Sequence, residues 1–323
     1  MLRLFALATT SVLLILTVAC GRESDGDSSL GDPQAPVDGA IVKPSEGCGS
    51  TADTGISVGT IDSDGLIRSY RLYIPSSYDA NAAMPLLLNF HGFGSNGVSQ
   101  EAYSGLAEVA EREGFVLVSP DGTGSPPQWH IYGRLLPGFV DDYAFVERLL
   151  DHLEVTLCVD KSRVYAAGLS NGGGMAQALG CRLNDRIAAV GSVAGAPFND
   201  AACTGKEPMP VIAFHGTADE VVAFEGEGSL LGLNLPPVRT TMQQWAEHNG
   251  CEGEIHSERT AEDVVREAYD GCDESSAVQL YVIEGGGHTW PGALDRPGLG
   301  RITKSISASD LMWQFFEAHP GGP

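Results

Sequence analysis

Short apolar runs alternate with stretches of helical spacing along most of the chain. The runs at 85–90, 115–119, 163–167, 188–193, 211–214 and 278–283 are too short for independent helices, and Gly, His or Pro soon follows them. Such runs suit strands buried on both faces of a sheet. Helical patterns fall near 101–113, 141–156, 172–182, 238–249 and 308–318. In the second of these, Phe145, Leu149, Leu150, Leu153 and Leu157 form one apolar stripe. Ahead of them, 56–61 and 66–74 read as two strands joined through Asp62-Ser63-Asp64-Gly65. The alternation predicts an α/β protein, a mostly parallel central sheet with helices on both faces.

The first fifty residues break this pattern. Residues 4–19 are an apolar run behind Arg3 that ends at Cys20. The run has the layout of a secretory signal, and Leu16-Thr17-Val18-Ala19-Cys20 resembles a bacterial lipobox, with Thr17 where Leu is preferred. Residues 1–19 are therefore expected to be a lipoprotein-type signal, with Cys20 lipidated and anchoring the chain to a membrane. Residues 20–47, rich in Gly, Asp, Ser and Pro, are expected to be a flexible tether, and 48–323 the folded domain. Asp25-Gly26-Asp27 lacks the remaining oxygen ligands of a calcium loop and reads as linker. Gly21 after Cys20 gives no signal for inner-membrane retention. Outer membrane, cell surface, periplasm or secretion all remain open.

Composition narrows the partners. Nineteen Lys and Arg against 42 Asp and Glu give a net charge of −23. Sequence-independent nucleic-acid binding needs cations to neutralise phosphates, so it is excluded as a function. Of seven Cys, six follow Cys20, an even number that suggests disulfides in an exported chain. Cys251–Cys272 would close a polar excursion. Cys158–Cys181 is the next expected pair, and Cys48–Cys203 follows by elimination. No Cys/His grouping has zinc spacing.

Candidate chemistry sits where the apolar runs end. Gly168-Leu169-Ser170-Asn171-Gly172 lies between a strand and a helix, the setting that G-x-S-x-G requires. A sharp turn there exposes the Ser170 hydroxyl, and the Asn171 N–H at the helix start faces a developing oxyanion. His91-Gly92-Phe93-Gly94 ends another strand, and Phe93 is the candidate second oxyanion donor, with His91 a structural histidine that bonds the loop. Asp219 ends Phe214-His215-Gly216-Thr217-Ala218-Asp219, where a third triad member belongs. Gly285-Gly286-Gly287-His288 gives a loop supple enough to bring in His288 as general base. Ser170, Asp219, His288 is the chain order of one hydrolase fold and of neither common serine-protease order.

Four separated segments, VDKSRVYAAGLSNGGGMA, FHGTADEVV, WAEHNGC and IEGGGHTWPG, resemble the polyhydroxybutyrate depolymerase-like esterases, which adjoin the feruloyl and acetylxylan esterases of carbohydrate esterase family one. The resemblance runs from about Leu66 to Phe316. It implies an α/β-hydrolase fold, a Ser170–His288–Asp219 triad, and ester hydrolysis without metal or other cofactor. Trp129 matches an aromatic that the family often carries near the cleft; it and Trp290 are expected to contact substrate, unless the first packs the core and the second braces His288. Leu230, Leu231, Leu233 and Leu235 line a pocket or pack a cap. Dedicated depolymerases of solid polyester carry a polymer-binding module, and this chain stops at Pro323. Soluble substrates are therefore expected: hydroxyalkanoate oligomers, or feruloyl and acetyl esters of plant polysaccharide. An acyltransferase or peptidase with the same triad, or a silent binding lipoprotein, are the rival readings.

Overall fold

The computed structural model describes residues 41–131, 140–195, 205, 207–226, 229–230, 233–273 and 276–321. The chain divides into two units, Met1–Gln34 and Ala35–Pro323. The first lies outside the described residues, and with it the expected signal, Cys20 and much of the tether. Among the described residues no helix is long and apolar enough to cross a membrane.

The strands are β1 (Gly55–Ser63), β2 (Leu66–Ile74), β3 (Met84–Phe90), β4 (Val116–Pro120), β5 (Val159–Leu169), β6 (Ala189–Val193), β7 (Val211–Gly216), β8 (Ser229–Leu230), β9 (Leu233–Asn234), β10 (Ile255–Ala261), β11 (Val264–Tyr269) and β12 (Val278–Ile283). The helices are α1 (Gly97–Ser104), α2 (Leu106–Glu113), α3 (Asp142–Thr156), α4 (Asn171–Arg182), α5 (Val238–His248) and α6 (Ala308–Ala318). Ten strands form one sheet in the order β1-β2-β4-β3-β5-β6-β7-β12-β11-β10. From β4 to β12 neighbours run parallel, and antiparallel pairs close both edges.

The period-two pleat sorts the core into two layers. On β3, Leu86, Leu88 and Phe90 join α3, α4 and α5 on one face. Leu87 joins α1, α2 and α6 on the other. The α3 stripe of Phe145, Leu149, Leu150 and Leu153 is buried, and truncating any of these to Ala would cost about 2–5 kcal/mol. Opposite, Trp313 of α6 stacks on Phe115 at 4.0 Å, and Phe316 on Tyr165 at 4.7 Å.

At four places the fold departs from expectation. The helical pattern at 101–113 is two helices, because Gly105 takes φ 66° and its N–H closes α1 on the Glu101 carbonyl. The polar excursion between Cys251 and Cys272 contains the edge hairpin β10–β11. Residues 43–47, expected to be tether, are instead packed on the domain: Lys43–Lys161 and Ser45–Val159 backbone bonds tie them beside the start of β5. That contact also decides the disulfides. It brings Cys48 to Cys158, so neither Cys158–Cys181 nor Cys48–Cys203 forms, whereas Cys251–Cys272 does. Cys181 is itself disulfide-bonded, and Cys203 lies outside the described residues.

Candidate active site

The carboxyl ends of the parallel strands share one rim. Ser170 follows β5, Asp219 follows β7 and His288 follows β12, within four successive strands of the sheet.

Ser170 has φ 57° and ψ −118°, a conformation that costs a non-glycine residue about 1–3 kcal/mol. Its N–H donates to the Val193 carbonyl at 2.9 Å. The flanking glycines are there for room. A Cβ on Gly168 would lie 2.4 Å from the Gly172 carbonyl oxygen, and one on Gly172 would lie 2.1 Å from that of Phe90. The turn can pass between β5 and α4 only with hydrogen at both positions.

Gly92 packs on the turn that carries Ser170, where a Cβ would come 3.3 Å from that of the serine. The loop Gly92-Phe93 therefore borders the serine. Neither the Phe93 N–H nor the Asn171 N–H donates to an acceptor among the described residues. The Asn171 side chain is occupied instead with Trp129, accepting its N–H at 2.7 Å and donating to its carbonyl at 3.0 Å. Trp129 is 2% exposed. Its Nε1–H donates to the His91 carbonyl at 2.9 Å, and its ring meets Phe90 edge-on. His91 donates from Nδ1 to the Gly92 carbonyl and accepts the Gly122 N–H at Nε2, each at 2.8 Å. Burial lowers its pKa and favours this neutral ring.

On the other side of the rim, Asp219 Oδ2 accepts from His288 Nδ1 at 2.8 Å, which leaves Nε2 of that ring as the lone-pair nitrogen. Asp219 Oδ1 accepts the Val221 and Val222 N–H groups, both at 2.8 Å. Burial pushes the carboxyl pKa up, but the hydrogen bonds and charges of His215 and His288 outweigh it and hold the group far below the usual carboxylate range. The glycines after β12 make this approach possible. A Cβ on Gly216 would lie 2.2 Å from the Gly286 carbonyl oxygen, while Ala218 N–H donates to that oxygen and Thr217 N–H to Ile283. The two loops interlock backbone to backbone.

Trp290 is 0% exposed. Its Nε1–H donates to Ser309 Oγ, which donates to the Ser104 carbonyl, so the loop bearing His288 is tied to α6 and α1. Both tryptophans expected at the substrate are thus core side chains with no ring face open to a ligand. Packing took them because each indole N–H has a buried acceptor. Among the described residues no hydrogen bond links Ser170 Oγ to His288, as is common before substrate binds. The side chains of Leu230, Leu231 and Leu233 lie outside the described residues, and Leu235 is half-buried. No group of three or more His, Cys, Asp or Glu is placed to hold a metal ion among the described residues. One residue had no expected role: His215, whose Nε2 lies 3.3 Å from Asp219 Oδ2. Its signal was present in the motif that ends β7.

A mostly parallel sheet with helices on both faces and a strained serine between strand and helix is the α/β-hydrolase fold, and the proteins it is similar to make the class that of carboxylic ester hydrolases. Residues 68–228 match the family model described as Esterase PHB depolymerase, and the chain belongs to that family. Feruloyl esterase B of Piromyces equi is 31% identical over 231 residues, 68% of this chain and 42% of that protein. The chain thus spans under half the length of that relative. Feruloyl esterase D of Neurospora crassa is 28% identical across 86% of this chain and 91% of its own. A protein of Nocardia uniformis subsp. tsuyamanensis named as an esterase, NocK, is 30% identical across 78% of this chain and 79% of that one. Among solved structures, an acetyl xylan esterase from Aspergillus awamori superposes with a TM-score of 0.59 at 15% identity, covering 81% of this chain and 99% of its own.

Proposed function

We propose that the protein is an exported serine carboxylesterase that cleaves feruloyl or acetyl esters of plant polysaccharide, with hydroxyalkanoate oligomers as further substrates. The observation that carries the reading is the 2.8 Å His288–Asp219 bond at the rim that also bears the strained Ser170. Asp219 fixes the imidazole with its proton on Nδ1, so Nε2 takes the Ser170 proton as Oγ attacks the ester carbonyl. The carbonyl oxygen becomes an oxyanion between the free N–H groups of Asn171 and Phe93. The tetrahedral intermediate collapses as His288 returns the proton to the leaving alcohol. Water, deprotonated by the same nitrogen, then attacks the acyl-serine and frees the acid. Trp129 and Trp290 hold the two loops in place. The feruloyl preference follows the names of the relatives.

Ser170→Ala tests the reading. Its kcat on methyl ferulate is expected to fall about 10⁴–10⁶-fold, with circular dichroism unchanged. Full activity would reject it. A panel of methyl ferulate, acetylated xylan and 3-hydroxybutyrate oligomers ranks the substrates. Export with a lipid at Cys20 is part of the same proposal. In a bacterial host, Cys20→Ser is expected to move the protein from the membrane to the soluble fraction, and an unchanged distribution would remove the anchor.

A further inference from the structure

We propose that His215 is a positioning residue for the Asp219–His288 pair: it holds a ring N–H close to the same carboxylate oxygen and so limits how firmly that oxygen holds His288. The inference rests on the triad reading above. His215 is buried at the end of β7. Its Nε2 lies 2.8 Å from the Val222 carbonyl oxygen and 3.3 Å from Asp219 Oδ2. A carbonyl oxygen can only accept, so Nε2 carries the hydrogen and donates it to Val222, with the carboxylate oxygen beside it.

Two consequences follow. First, Val222 is held at both ends, its N–H on Asp219 Oδ1 and its C=O on His215. The turn that aims the carboxylate is thereby fixed to β7. Second, Asp219 accepts hydrogen bonds from Val221, Val222 and His288, and His215 Nε2 stands 3.3 Å from the oxygen that His288 uses. His215 competes with His288 for Oδ2. Removing it leaves more negative charge facing His288, so the imidazolium is held more firmly and the ring stays protonated to higher pH.

The surroundings favour a clean reading. The rest of the His215 ring meets Phe224 edge-on and lines a cavity of about 10 Å³ with Gln177 from α4, Ser192 from β6, and Thr241 and Met242 from α5. None of these ionises. The titratable groups acting on Asp219 are His215 and His288.

The test is the pH profile of kcat/KM for p-nitrophenyl acetate, measured on the full chain and on His215→Leu, His215→Phe and His215→Gln. Leu and Phe remove the donor, and Phe keeps the ring's volume should Leu fail to fold. Both are expected to lower kcat/KM about tenfold and to move the acid limb up by about half a pH unit. Gln, whose amide nitrogen can donate, is expected to restore the limb and most of the rate. An acid limb that stays put or moves down in Leu and Phe overturns the proposal, whatever the loss of rate, because His215 then only braces the turn. Ser170→Ala measured alongside separates the failures. If that variant stays active, the triad reading falls; if it is inactive and the limbs coincide, only the role of His215 falls.

Discussion

The Asp219 carboxylate takes three donors onto two buried oxygens, with His215 Nε2 3.3 Å from one of them, whereas the Phe93 and Asn171 N–H groups a few strands away have no acceptor among the described residues. Phe93 is also 48% exposed, while Asp219 and His288 are buried. The β7–β12 side of the rim is thus closed on itself and the β3–β5 side is left open. This division suits a reaction in which charge develops on both sides. A base needs its orientation fixed in advance, and a carboxylate pinned by two backbone N–H groups does that. An oxyanion site needs donors that have nothing else to bond, so that they meet the new charge without first breaking a contact. Backbone unsatisfied at one place and oversupplied at another is the same economy of hydrogen bonds serving two ends.

The largest way to break the closed side, after loss of the serine itself, is Asp219→Asn. An amide nitrogen would face one of the N–H donors that the carboxylate now accepts, and the imidazole would lose its fixed tautomer. We expect kcat on p-nitrophenyl acetate to fall about 10⁴-fold and stability to fall by about 2–4 kcal/mol, read from urea midpoints. A variant with near-native turnover would mean that the 2.8 Å contact does not orient the base.

The two sides also differ in how readily the sequence discloses them. The strand runs, four of the helices and the positions of Ser170, Asp219 and His288 at strand ends are legible, because buried parallel strands must be apolar and the turns after them must be glycine-rich. The hairpin β10–β11 is not. Its outer strand, IHSERTA, is exposed along nearly its whole length and carries no apolar alternation. The break at Gly105 hides inside an otherwise helical pattern. Cys48–Cys158 depends on where residues 43–47 lie against β5, a contact made over more than a hundred residues. Trp129 and Trp290 look like ligand aromatics until their indole nitrogens are seen to have buried acceptors. His215 was visible as a letter in a motif, but its role is a distance, and distances between loops are not written in spacing.

A smaller effect sharpens the open side. Asn171→Ala removes both bonds to the Trp129 backbone and leaves the Asn171-position N–H in place. If that N–H is the oxyanion donor, catalysis survives with a loss of about tenfold from a looser loop, and stability falls by about 1–2 kcal/mol. A loss as large as that of Asp219→Asn would assign the side chain, not the backbone, to the reaction.

The smallest expected effect concerns His91, which belongs to the open side yet is buried. It must be neutral, because Nε2 accepts the Gly122 N–H, and burial lowers its pKa from 6.5. A histidine whose folded pKa is depressed takes up more protons in the unfolded state once pH drops below about 6.5. Its contribution to stability is therefore complete above that pH and is lost as pH falls through the folded value. His319, also depressed by burial, adds to the same slope but is unchanged by a substitution at 91. We expect His91→Gln, whose amide can still donate to Gly92 or accept from Gly122, to flatten the fall in unfolding free energy between pH 7.5 and 5.5, read from urea titrations, by up to about 1 kcal/mol. Parallel curves for the two proteins would show that the loop carrying Phe93 tolerates a charged ring, and that the open side is held together by Trp129 and Asn171 alone.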